Sequence, residues 1–186
     1  MKKNDVVKEF SITYGGITAD EIGGFFFLLL QQDHMQLTGR HKVNATPATL
    51  WNMLMDTDTL SKIVPGISKL EKTGDNSYKS ILEIKIGPVG GSFKGDLQME
   101  NIDEQKGFTL KVQQNSSVGN ANAAIKIELI PVTADETEVA FDGDVKVTGL
   151  LASMGQRILG SAANMLTKQF FANLDHELAK QQTMSN

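Results

Sequence analysis

Residues 139–182 read VAFDGDVKVTGLLASMGQRILGSAANMLTKQFFANLDHELAKQQ, and along them the period of the apolar residues changes once. Up to Val147 the period is two. Val139, Phe141, Gly143, Val145 and Val147 alternate with Ala140, Asp142, Asp144 and Lys146, which is the signature of a half-buried strand. Beyond Gly149 the period is helical, with Leu151, Met154, Ile158, Ala162, Met165, Leu166, Phe170, Leu174 and Leu178 on one stripe. A helix from Leu150 to about Gln182 would be roughly 46 Å long at 1.5 Å per residue.

Upstream, the same two-residue alternation recurs. It is carried by Leu37–Val43, Leu82–Ile86, Phe93–Met99, Phe108–Ser116 and Ala121–Leu129, with a weaker strand over Ile67–Lys72. Turn chemistry separates these runs at Gly74-Asp75-Asn76, Gly87-Pro88, Asp103–Gly107, Ser117–Asn120 and Asp135-Glu136. Short links between strands with one polar face predict an antiparallel meander. After the first strand, Thr46-Pro47 reads as an N-cap and first helical residue, with Leu50, Trp51 and Leu54 as the apolar face. Asp58 is expected to cap a second short helix through Leu60 and Ile63, stopped at Pro65-Gly66. The expected class is α+β: a curved antiparallel sheet of about seven strands around one long C-terminal helix, with two short helices after the first strand.

The chain has 186 residues, 40% hydrophobic and 22% charged, with a formal net charge of −4. This composition fits a soluble globular protein and gives no positive field for nucleic acid. With no cysteine, disulfides, thiolate nucleophiles and thiolate-held metals are excluded. The three histidines, His34, His41 and His176, share no ligand spacing, so no metal and no cofactor is expected. No G-x-S-x-G, G-x-G-x-x-G or phosphate-loop motif occurs. His41 is the weak candidate for a general base, and that role requires it to point inward beside a second polar group.

Residues 1–34 lack sustained periodicity and are expected to form an extension outside the core, with 35–182 as the single domain and 183–186 as a tail. The apolar run Phe25–Leu30 is too short to span a bilayer and lacks the flanks of a secretory signal. Its alternatives are an unstructured extension ahead of a start at Met35, a short docking arm, or an added edge element.

A sheet bent around one helix need not close everywhere. Gly39, Gly95, Ala121, Ala123 and Gly143 thin the inner face, and Gly155 and Gly160 interrupt the helical stripe. They mark either close packing or bends, or space for a ligand. The expected cavity is lined by Phe93, Leu97, Met99, Leu110, Val112, Ile125, Ile127, Phe141, Gly143 and Val145 from the sheet and Met154, Ile158 and Met165 from the helix. Gln114 supplies a polar contact, and Leu60, Ile63, Pro65 and Gly66 form the mouth.

Several short motifs follow one another in order. They are Met35-Gln36-Leu37-Thr38-Gly39, Pro47 with Leu50-Trp51, Val64-Pro65-Gly66, Gly87-Pro88-Val89 with Ser92-Phe93-Lys94-Gly95, Gly149–Arg157, and Phe170-Phe171. Together they resemble the carbon monoxide dehydrogenase G-subunit family, within the START/polyketide-cyclase-like (SRPBCC) superfamily. The resemblance implies a helix-grip fold with a hydrophobic tunnel. It implies a non-enzymatic accessory protein for a molybdenum hydroxylase of carbon monoxide dehydrogenase type, handling a quinone or lipid or aiding membrane recruitment. The expected location is cytoplasmic, peripheral at the inner membrane face. The competing readings are a cyclase- or hydrolase-like enzyme using the same cavity, and a protein-interaction module without a ligand.

Overall fold

The computed structural model describes residues 33–184. Of the expected extension, 1–34, all but Asp33 and His34 lies outside the described residues, including the apolar run Phe25–Leu30. Seven strands follow the alternations: β1 Asp33–Val43, β2 Ile67–Gly74, β3 Ser77–Ile86, β4 Val89–Asp103, β5 Gly107–Ser116, β6 Gly119–Pro131 and β7 Thr137–Val147. Helices α1 Pro47–Met55 and α2 Thr57–Ile63 come after β1, and α3 Leu150–Ser153 and α4 Gln156–Met184 close the chain. All seven strands form one sheet in the order β1-β7-β6-β5-β4-β3-β2, with every neighbouring pair antiparallel. β1 and β2 are therefore its edges among the described residues.

Local chemistry sets the boundaries. The Thr46 hydroxyl accepts the Thr49 amide at 3.1 Å and Pro47 opens α1. Asp56, not the expected Asp58, caps α2, accepting the Thr59 amide at 2.9 Å. Asp56 is itself the whole link between α1 and α2, so Asp58 already lies in the first turn of α2. The Thr59 hydroxyl and amide hold the Asp56 carboxyl below its ordinary range. The expected single helix from Leu150 is two helices. Gly155 adopts φ +78°, a left-handed conformation that breaks the run between Ser153 and Gln156. Two smaller differences concern the ends: β1 begins at Asp33, four residues before the expected strand start at Leu37, and α4 runs to Met184.

Gly143 and Gly95 stand where neighbouring strands leave no room for a side chain. A Cβ on Gly143 would stand 2.6 Å from the Ile125 Cα, and one on Gly95 would stand 2.8 Å from the Gln113 carbonyl carbon. Only glycine allows so close a backbone approach.

Buried residues fall into two separate clusters. One packs Val43, Leu50, Trp51, Ile63, Phe108, Leu129 and Val139 against Phe171, Leu174 and Leu178 near the C-terminal end of α4. The other packs Val89, Phe93, Val147, Leu151 and Ala152 against Leu159 and Ala162 near its start. Leu37, Val112, Ala123, Ile125 and Leu166 are part of neither, and each stays half-buried.

Candidate functional site

The sheet register explains the gap. Leu37, Gly143, Ile125, Leu110 and Met99 form one row across β1, β7, β6, β5 and β4. Met35, Val145, Ala123, Val112 and Leu97 form the next. Apart from Met99, every residue of these two rows is half-buried, although most are apolar. Protein interiors are normally close-packed, so two partly wetted apolar rows between two dense clusters describe a hollow.

An apolar pocket of about 270 Å³ lies there. Its walls are Leu37, Leu110, Ile125, Ile127, Val139 and Phe141 of the sheet, Leu54 of α1, and Leu166, Thr167, Phe170 and Phe171 of α4. Beside it runs a groove of about 700 Å³ between β1, from Met35 to His41, and α4. The groove has a polar wall: Thr38, Arg40, His41, Asn164, Lys168 and Asp175. Gly160, Ala163 and Ala172 keep its helical side low, and a Cβ on Gly160 would meet nothing within 4 Å. Leu37, Phe141, Thr167 and Phe171 line both spaces. Thr167 donates its hydroxyl to the Ala163 carbonyl at 2.9 Å, so its polar atom is engaged by the helix.

His41 is held at this junction. Its ring stacks on Phe171 with centroids 4.1 Å apart, and its Nε2 lies 3.7 Å from the Asp175 Oδ2, within ion-pair range when the ring is protonated. Arg40 is engaged by Glu138 at 2.7 Å. Among the described residues, no group of three His, Asp or Glu side chains could hold a metal ion.

The sequence-derived lining is only partly assembled. Leu110, Ile125, Ile127 and Phe141 line the pocket. Leu97, Val112 and Gly143 lie in the open rows of the sheet outside its wall, Gly143 with no room for a side chain. Phe93 and Met99 are buried in the two clusters, with Val145 and Met154 packed against the second. Ile158 and Met165 face away, 38% and 53% exposed. Both lie within α4 at the edge of its inward stripe, which runs through Leu159, Ala162, Leu166 and Phe170; of these four, Leu159 alone was absent from the expected stripe.

The expected mouth is closed. Ile63 is fully buried, Pro65 is buried, Leu60 packs on the first cluster, and a Cβ on Gly66 would meet the Glu83 carbonyl oxygen at 2.6 Å. Asn173 also ties α4 to the end of α2, donating to the Ile63 carbonyl at 3.1 Å. Gln114 is 3% exposed and donates to the Ser80 hydroxyl at 2.9 Å, reaching across Gly95. Its amide oxygen is buried without a partner, and it lines neither space.

The expected lining lacked Leu37, Leu54, Val139, Leu166, Thr167, Phe170, Phe171 and Asp175. A signal for three of them existed, since Thr167, Phe171 and Asp175 are spaced by four and share a helix face.

Residues 39–179 match the family of the carbon monoxide dehydrogenase G-subunit (CoxG), and the chain belongs to that family. No curated protein sequence matches it. A solved structure of a conserved protein from Geobacillus kaustophilus is 31% identical, with a TM-score of 0.76, covering 78% of this chain and 96% of that one. Two remoter structures share the fold. The Zhui aromatase/cyclase from Streptomyces sp. R1128 is 10% identical at TM-score 0.62, covering 80% of this chain and 96% of that one. A START superfamily protein from Mycobacterium smegmatis is 14% identical at TM-score 0.62, covering 80% and 99%. The fold is therefore the START-like helix-grip fold.

Proposed function

We propose that this CoxG family member is a non-enzymatic accessory protein that carries a hydrophobic small molecule, quinone- or lipid-like, in the hollow under α4. The partner it serves is a molybdenum hydroxylase of carbon monoxide dehydrogenase type, in the cytoplasm or at the inner face of the membrane. The observation that carries this reading is the pair of apolar rows left half-wetted between two dense clusters. The family description supports the partner. No helix among the described residues is long and apolar enough to cross a membrane, which fits peripheral contact. Each methylene group moved from water into the hollow contributes about 0.8 kcal/mol before association costs.

Menaquinone or long-chain fatty acids, added at about a hundred times their dissociation constant, are expected to raise the melting temperature by about 5–10 °C. Thr167→Phe, which fills the junction, should remove that rise. If no lipophilic compound moves the melting temperature, the carrier reading fails.

One observation favours a second reading. Asp175 gives His41 the neighbouring polar group that a general base requires. On that reading a small apolar substrate in the same hollow would lose or gain a proton at the His41 imidazole. A His41→Ala variant that kept all measured turnover would remove it.

A further inference from the structure

We infer that the ligand is an anionic amphiphile, its alkyl part in the apolar pocket and its negatively charged head in the β1–α4 groove beside Lys168. This rests on the carrier reading and adds the chemistry and direction of the bound molecule. The two spaces divide sharply in character. Inside the junction every wall residue is apolar except Thr167, whose hydroxyl is taken by the Ala163 carbonyl. Outside it the groove presents Arg40, His41, Asn164, Lys168 and Asp175. A molecule spanning Leu37, Phe141, Thr167 and Phe171 must therefore be apolar at one end and polar at the other. The apolar pocket alone is slightly below the roughly 300–1,000 Å³ of ordinary small-molecule sites, and the adjoining groove supplies the rest.

The charge inventory sets the sign of the head. Arg40 of β1 is neutralised by Glu138 of β7 at 2.7 Å. Asp175 of α4 lies 3.7 Å from the imidazole of His41, which balances it when the ring is protonated, and stands two turns of α4 beyond Lys168. Lys168 is the groove cation that has no carboxylate within 4 Å among the described residues. A carboxylate or phosphate beside it completes the pairing, whereas an ammonium head would meet an unpaired like charge. Asn164, one turn before Lys168 on the same face, offers a neutral donor.

Calorimetric titration with dodecanoate, dodecanol and dodecylammonium at pH 7.5, each below its aggregation concentration, tests the inference. Dodecanoate is expected to bind about ten times more tightly than dodecanol, with dodecylammonium weakest. Lys168→Gln should bring dodecanoate to within about twofold of dodecanol and leave dodecanol unchanged. Equal affinities for all three, or tightest binding of the ammonium, overturn the anionic head while leaving the carrier reading intact. An unchanged dodecanoate preference in Lys168→Gln overturns the role of Lys168. If none of the three binds, the inference falls, and the carrier reading falls with it only if menaquinone also leaves the melting temperature unmoved.

Discussion

The end of the sheet beneath α1 and the middle beneath α4 are built from the same kinds of residue, yet only the first is packed solid. At the closed end Leu50, Ile63 and Leu174 are completely buried, because three helices converge on the strands there. In the middle, Leu37, Ile125 and Leu166 face one another across a space covered mainly by α4, with Leu54 of α1 at its side. The difference lies in how many layers reach a position and not in its hydrophobicity. Two dense clusters prop one helix over a curved sheet, and the span between the props stays open.

Truncations should separate the two regions most strongly. Leu174→Ala is expected to cost about 2–5 kcal/mol in urea unfolding, since it empties a fully packed site. Leu37→Ala, which removes half-wetted atoms, should cost about 1 kcal/mol or less. Equal costs would mean that the middle is as well packed as the end. Glycines sharpen the same contrast. Gly143→Ala forces a Cβ against the β6 backbone and should destabilise by about 1–3 kcal/mol. Gly160→Ala places its Cβ in open space on a helix and should stabilise by about 0.5–1 kcal/mol.

The closed end also depends on the Asp56 cap. Asp56→Ala should cost about 1 kcal/mol at neutral pH, read from thermal unfolding. The folded-state pKa of Asp56 is lowered from 3.8, so its contribution is complete above that value. It fades as pH falls through the folded pKa, and the gap between wild type and variant should narrow in acid. The smallest effect concerns Gln114. Replacing both members of its buried pair, as Gln114→Leu with Ser80→Ala, should change stability by under about 1 kcal/mol. Gln114→Leu alone should cost more, by leaving Ser80 without its donor.

Much of the architecture was legible because it rests on local periodicity. The strands, the Thr46-Pro47 helix start and the halt at Pro65-Gly66 all follow from neighbours in sequence. The candidate site was legible mainly where it sits on the sheet. Leu110, Ile125, Ile127 and Phe141 were predictable from alternation, because a strand's faces are fixed by counting in twos. On the helix the stripe included Leu166 and Phe170, which do line the pocket, but it was drawn too wide, and Ile158 and Met165 at its edge face solvent. The stacking of His41 on Phe171 joins residues 130 positions apart through tertiary packing, and no local pattern encodes it.

The hollow itself is best tested by a crystal structure of the protein grown with 12-bromododecanoate, in which bromine marks the end of the alkyl chain by anomalous scattering. A single strong peak is expected between Leu37, Ile125 and Leu166. A peak only on the outer surface, or none while the hollow stands filled by repacked side chains, would contradict an open, ligand-holding span under α4.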